Sequence, residues 1–308
     1  MLPCAYVKSW KKVLWFPSFV IAEIAIYHQI YLIELNSHSS LQRQYTGFLK
    51  TPVLRFIKSD LPYGLFKLNN YPEALPEDFK MPHPIRLGQR MEVFMEVALN
   101  QEYQVLSKNL QIIHEKRTLG EFDFIIQSKE GGRPIHLEMV YKFYFLRPEL
   151  GGDWIDQLQG PNARDHLRFK LEKMQTHQFP LLYQPETLPY LNELGLKRDE
   201  LKQLLFFKAQ IFVPVHHSLS SNQSGFTEAI SGYYYRLQEL KSLDRPELYF
   251  YIPFKNDWVA QPEEATLFEP FEVFYKKISV TLKEQRSVLF WMYSAETQEF
   301  KRHFASWW

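Results

Sequence analysis

Glu121, Asp123, Glu138 and Lys142 are the residues whose types and spacing suit chemistry on a phosphate. Side chains alternate across a strand, so Glu121 and Asp123 project to one side of their run, and Glu138 and Lys142 to one side of theirs. If the two runs pair, two or three carboxylates and an ammonium converge on one side of a sheet. Carboxylate oxygens are natural donors for Mg²⁺, which prefers hard oxygen ligands and keeps several waters. A divalent ion held there lowers the pKa of a bound water and stabilises charge on a phosphate under attack. The same alternation also fits an amphipathic hairpin with one face in water, and the pattern by itself leaves that alternative open.

The elements that must position these groups are legible from periodicity. Leu87, Met91, Phe94, Met95, Ala98 and Leu99 form one apolar stripe and predict a helix over Ile85–Leu99. From Leu110 the period changes, and Phe122, Phe124 and Ile126 alternate with Glu121, Asp123, Ile125 and Gln127 as in a half-buried strand. Lys129-Glu130-Gly131-Gly132-Arg133-Pro134 reads as a turn. A second strand follows, with Ile135, Leu137, Met139, Tyr141, Phe143 and Phe145 on one face and His136, Glu138, Val140, Lys142 and Tyr144 on the other. Asn162 suits a helix N-cap. The helix running from there to about His177 sets Asn162, His166, Lys170, Lys173 and His177 within an arc of about 80°. Lys170 and Lys173 on that arc would contact nucleic-acid phosphates, and the same arc equally fits an ordinary solvated helix face. The last 130 residues mix helical and strand-like runs, such as Leu204 to Val213 and Leu248 to Phe254.

Other chemistries are excluded. There is no phosphate-binding glycine loop, no GxSxG elbow, and no cysteine pair to complete a zinc deaminase around His136-Leu137-Glu138. The adjacent His216 and His217 cannot share a helix face. One cysteine, Cys4, forbids an intramolecular disulfide and points to a reducing, cytoplasmic setting, so the sequon at Asn222 reads as a polar loop rather than a glycosylation site. Lys8, Lys11 and Lys12 precede an apolar run, Val13–Ala22, which is half the length a membrane helix needs, and a partly buried helix is expected instead. With 36 basic and 35 acidic residues the net charge is +1, which neither requires nor excludes a nucleic-acid partner. Eighteen tyrosines and 25 phenylalanines are mostly core material.

Leu87-Gly88-Gln89-Arg90-Met91-Glu92, Gly120-Glu121-Phe122-Asp123-Phe124 and His136-Leu137-Glu138-Met139-Val140-Tyr141-Lys142 resemble successive motifs of the PD-(D/E)XK nuclease-like superfamily. More narrowly, the chain resembles the bacterial domain-of-unknown-function family 1853, also through Gly160-Pro161-Asn162, Asp165, Lys170 and Lys255-Asn256-Asp257-Trp258. The resemblance runs from about residue 45, and the first 40 residues look like an addition. It implies an α/β protein with a restriction-endonuclease-like core, in which a helix, a three-stranded meander, a second helix and a further strand form a mixed sheet with flanking helices and N- and C-terminal elaborations. Residues 1–80 would form a helical and loop extension, and 81–308 the nuclease-like domain, the whole forming one compact unit in the simplest case. The resemblance casts Glu92 as the helix glutamate, Asp123 and Glu138 as ligands of Mg²⁺ or Mn²⁺, and a lysine as the fourth catalytic group. That lysine normally lies two residues beyond the second acid, where this chain has Val140. Lys142 lies four beyond, which puts its Cα roughly 13 Å from that of Glu138 instead of about 7 Å, and Lys170 or Lys173 are alternatives. The expected activity is phosphodiester hydrolysis in nucleic acid, DNA ahead of RNA, without membrane association. The alternative is a catalytically silent nucleic-acid-binding or protein-interaction protein on the same fold.

Overall fold

Runs of aromatic and branched residues with few interior glycines favour extended strands, and the computed structural model joins those among the described residues into one sheet of 11 strands. The structure describes residues 37–56, 60–82, 85–217, 226–263 and 266–308. The lysine-flanked run 13–22 and the sequon at Asn222 lie outside them. The strands are β1 (Gly64–Leu65), β2 (Tyr103–His114), β3 (Arg117–Ser128), β4 (Ile135–Leu146), β5 (Leu158–Gln159), β6 (Lys202–Pro214), β7 (Ile230–Arg236), β8 (Leu248–Tyr251), β9 (Glu269–Pro270), β10 (Val288–Ser294) and β11 (Glu299–Ser306). Their order is β2-β3-β4-β6-β7-β11-β10-β8-β9, with β5 added to β4 and β1 to β6. The meander β2-β3-β4 is antiparallel, whereas the pairs β4–β6, β6–β7 and β7–β11 are parallel. Parallel neighbours require a crossover. Between β4 and β6 it is made by β5, α3 (Leu167–Lys173) and α4 (Leu188–Glu193).

Helices cover both faces of the central strands. On one side α1 (His38–Lys50) and α2 (Leu87–Leu99) pack Tyr45, Phe48, Met91 and Phe94 against Leu137, Met139, Phe143 and Phe206. On the other, Leu167, Leu171 and Met174 pack against Val140, Tyr144, Leu205 and Phe207. A strand covered on both faces should be apolar throughout rather than alternating. β6 follows this rule except at buried Lys208 and Gln210, and β4 departs from it at His136 and Glu138, both fully buried. The face of β4 expected to meet water is therefore interior. Leu41, Phe66, Leu75 and Met81 share the α2 core, and Leu54 and Leu61 join the core on the opposite face. Beyond β11, α5 (Phe271–Lys283) closes a further apolar cluster with Phe250, Phe274 and Phe290.

Two local devices fix the α1 side. Ser37 caps α1 by accepting the Ser40 amide at 3.2 Å. At the other end buried Lys208 of β6 donates to the carbonyls of Leu49 (2.9 Å) and Thr51, satisfying acceptors that the helix end leaves open. Gly232 in β7 is obligatory for a different reason. A Cβ there would stand 1.8 Å from the Arg302 carbonyl of β11. The architecture is a mixed α/β one, a large mixed sheet with flanking helices. Among the described residues no helix is long and apolar enough to cross a membrane.

Candidate active site

The site forms where two strands part. β3 and β4 pair only at Ile126–Ile135, Ile125–His136 and Phe124–Leu137. Asp123 and Glu138 stand opposite each other immediately past the last pair, on the same face as Ile125 and His136. The Asp123 carboxylate takes over from the ladder, accepting the Met139 amide through Oδ2 at 2.8 Å. β4 then continues beside β6 through Phe145, while β3 stays with β2. The carboxylate thus satisfies an amide that the divergence would otherwise leave bare.

Glu138 is clamped from three directions. Its Oε1 faces His136 Nε2 at 2.9 Å, its Oε2 accepts Gln178 Nε2 at 2.5 Å, and the Asp123 amide also donates to the carboxylate. Gln203 Nε2 donates to the Phe179 carbonyl (2.8 Å) and faces His136 Nδ1 at 3.1 Å, so Nδ1 accepts and Nε2–H donates to Glu138. Burial holds the imidazole near a pKa of about 4 against a weaker pull from Asp123. The pair is therefore a hydrogen bond to a neutral ring rather than an ion pair. The Gln178 oxygen accepts Lys170 Nζ at 3.0 Å, which ties the lysine to Glu138 through one amide.

The remaining acids and lysines divide unequally. Glu92 reaches the cleft from α2, where it accepts Asn109 Nδ2 at 3.3 Å. Burial, then the charge of Asp123, raises its pKa to about 7. Burial and Glu138 push Asp123 to about 7, and burial pushes Glu138 to about 8 against the opposing charge of Lys170. Burial lowers Lys170, against the pull of Asp123 and Glu138. Lys142 instead pairs with Asp165 at 2.6 Å, with both side chains more than a third exposed. Glu121 is engaged by Gln111 Nε2 at 3.0 Å, though its charge still reaches Glu92 and Glu138. Lys170 is thus the lysine facing the two acids.

A cleft of about 470 Å³ opens here, lined by Glu92, Asp123, Lys142, Lys170, Lys255 and Trp258 among others. Lys173 and His177 line a second hollow of about 320 Å³ on the other side of Asp123. The helix bearing them is shorter than its periodicity predicts. α3 begins at Leu167 with His166 as N-cap, and residues 174–178 form a π turn. Asn162 lies in the preceding loop and lines the cleft without capping the helix. The π turn is what carries Gln178 to Glu138, as such single-turn insertions commonly do at functional sites. Sequence reading missed the clamp formed by His136, Gln178 and Gln203, because these residues are apart in the chain or, for His136, match a motif without its partners.

Among the described residues no three His, Cys, Asp or Glu side chains are disposed around one point as ligands. Mg²⁺ is commonly held by one or two carboxylates plus waters, so the facing Asp123 and Glu138 fit that donor set. Their proton affinities give the fit a pH dependence. A carboxyl raised from about 4 when unfolded to 7 or 8 when folded contributes stability below pH 4 that is lost as pH rises through 7 and 8. A bound cation reverses that loss, because only the deprotonated groups ligate it. The Tm increment given by Mg²⁺ over a chelator is expected to be near zero at about pH 5 and to grow towards about pH 8. Buried Lys208 and His303, which touch neither acid, titrate alike with and without the ion and cancel in the increment, and His136, held near a pKa of about 4, stays neutral across the range. An increment flat across that range, measured by differential scanning fluorimetry, overturns Asp123 and Glu138 as ligands.

Fold and cleft together define a mixed α/β protein whose carboxylate cluster sits at a strand divergence. The chain belongs to the family described as Domain of unknown function (DUF1853), which matches residues 38–304. No curated protein and no solved structure matches it.

Proposed function

We propose that the chain is a Mg²⁺-dependent nuclease of the PD-(D/E)XK type, hydrolysing phosphodiester bonds in DNA ahead of RNA, with Mn²⁺ able to replace Mg²⁺. The observation that carries this reading is the meeting of Asp123, Glu92 and Lys170 in one cleft, with the fully buried Glu138 beside Asp123, from two strands and two helices. The order α2, β2-β3-β4, α3, β6 also follows the helix, meander, helix and strand that the superfamily resemblance implies.

In this reading Asp123 and Glu138 hold the ion, which supplies an activated water and stabilises charge on the phosphate. Each residue of the chain then has a task. His136 and Gln178 aim the Glu138 oxygens, much as outer-shell partners orient metal ligands. Glu92, with its proton affinity near 7, takes up the proton of the attacking water at neutral pH. Lys170 offsets negative charge beside the scissile phosphate, and Lys142, Lys173 and Lys255 contact flanking phosphates. A silent nucleic-acid-binding protein on the same fold is the second reading, favoured by the engagement of both Glu138 oxygens by His136 and Gln178.

Purified protein incubated with supercoiled plasmid, linear duplex, single-stranded DNA and RNA separates the two. The nuclease reading expects nicking or degradation with Mg²⁺ or Mn²⁺ and none with EDTA. Salt-dependent retention of the same substrates without cleavage under any metal condition makes the binding protein correct instead.

A further inference from the structure

A further cavity, of about 570 Å³, lies between α1 and the strands β7, β10 and β11. That is within the range of about 300–1,000 Å³ typical of small-ligand sites. Its charges are one-sided. Arg43, Lys50, Lys301 and Arg302 line it, and no described Asp or Glu does. Arg43 and Lys301 are partly offset by Glu263 and Glu299, which lie outside the lining. Lys50 is exposed and pairs with no carboxylate among the described residues.

Arg302 is the unusual member. Its guanidinium lies 4.7 Å over the Trp291 ring, and it donates to Gln210 Oε1 and, at 3.4 Å, to the Val259 carbonyl. Gln210 donates to the Tyr141 hydroxyl at 2.8 Å, which bonds Thr51 Oγ1 at 2.8 Å, which donates to the Gly47 carbonyl at 2.8 Å. Every acceptor in this chain is neutral. Burial accordingly lowers the guanidinium pKa to about 10. Arg302 Nε and Trp291 Nε1 are both buried without a hydrogen-bond partner among the described residues. A buried cation normally has a counter-charge, and a buried donor normally has an acceptor. An anion in the cavity that Arg302 lines supplies the counter-charge the guanidinium lacks. Tyr233 and Phe300, at 43% and 49% exposure, add aromatic walls to the same cavity.

We propose that this cavity binds a phosphate-bearing anion of nucleotide size, as free phosphate or as the phosphate of a nucleotide, through Arg302, Lys50 and Lys301. Arginine and lysine suit phosphate in different ways, as a planar donor fork and as point charges. The site is independent of metal and separate from the carboxylate cleft, so it stands or falls apart from the nuclease reading.

The test is isothermal titration of the full-length protein in EDTA, with inorganic pyrophosphate in one arm and ATP in the other. EDTA keeps the carboxylate site from contributing through metal. Both anions are expected to bind, with affinity falling as salt rises. Arg302→Gln should weaken them about tenfold or more, as loss of a charge-assisted contact does. Because Arg302 packs on Trp291 and that variant could misfold, Lys50→Ala/Lys301→Ala is run beside it. These lysines are solvent-exposed, and their joint loss should weaken binding several-fold with Tm unchanged. ATP binding more tightly than pyrophosphate identifies a nucleotide, and equal affinities identify the phosphate group alone. Wild type binding neither anion, or the double lysine variant binding both unchanged, overturns the proposal.

Discussion

Asp123→Asn should remove metal-dependent cleavage, by on the order of 10³-fold or about 4 kcal/mol of transition-state stabilisation, while leaving a folded protein that is more stable without metal than the wild type. The substitution keeps the shape of the side chain and its acceptor. An asparagine Oδ1 can still take the Met139 amide that Asp123 now accepts at 2.8 Å, so the strand divergence is preserved. What disappears is a buried negative charge beside Glu138 and Glu92, each of which Asp123 crowds or is crowded by. Removing it should stabilise the metal-free protein near pH 8 by on the order of 1–3 kcal/mol, and by much less near pH 5, where the wild-type carboxyl carries its proton. Denaturant unfolding in EDTA at the two pH values measures the first effect, and plasmid cleavage measures the second. Loss of stability in the variant at both pH values would contradict the repulsion described above. Equal cleavage by both proteins would trace the activity to a contaminant.

Lys170→Met should cost far more than Lys142→Ala, although Lys142 sits nearer the acids in sequence. Lys170 donates to Gln178, which in turn donates to Glu138, and its charge is the main influence opposing the burial of Glu138. Without it both acids titrate still higher, and Gln178 loses its donor. Cleavage should fall on the order of 10²-fold, and the protein should lose stability at about pH 8 but little at about pH 6, where the acids are protonated. Lys142→Ala breaks only a solvent-exposed pair with Asp165, worth at most about 1 kcal/mol. Its effect on cleavage should stay within a few-fold and vanish as salt rises. Similar losses in the two variants, from parallel kinetics and pH-resolved unfolding, would refute the assignment of the lysine role to Lys170.

Strand and helix identities were largely legible in the sequence. The stripe from Leu87 to Leu99 became α2, starting two residues later than predicted, and the runs at 204–213 and 248–254 became β6 and β8. Those signals are local, because burial of one face imposes a period on neighbouring residues. The start of β2 at Tyr103 was not visible, since its burial is irregular and the first apolar alternation begins only near Leu110. The helix at 162–177 was predicted too long. A π turn follows no simple period, and a loop that lines a cleft carries the same polar residues as a solvated helix face.

What the sequence determined by itself was that Asp123 shares one side of its strand with Glu121 and Ile125, and Glu138 one side of its strand with His136. Alternation along a strand is a covalent consequence of the extended backbone and needs no partner. Tertiary structure alone decided the rest. It covered the second face of β4 with α3 and so turned an ordinary hairpin pattern into a buried, mutually repelling pair. It chose Lys170 over Lys142, because a crossover of some 50 residues returns α3 across β4 at the point where β3 departs. It also gathered Lys50, Arg302 and Trp291 around one cavity from opposite ends of the described chain, where no spacing rule connects them. Proton affinity and charge pairing depend on the distance and dielectric between groups, and only the folded chain sets these.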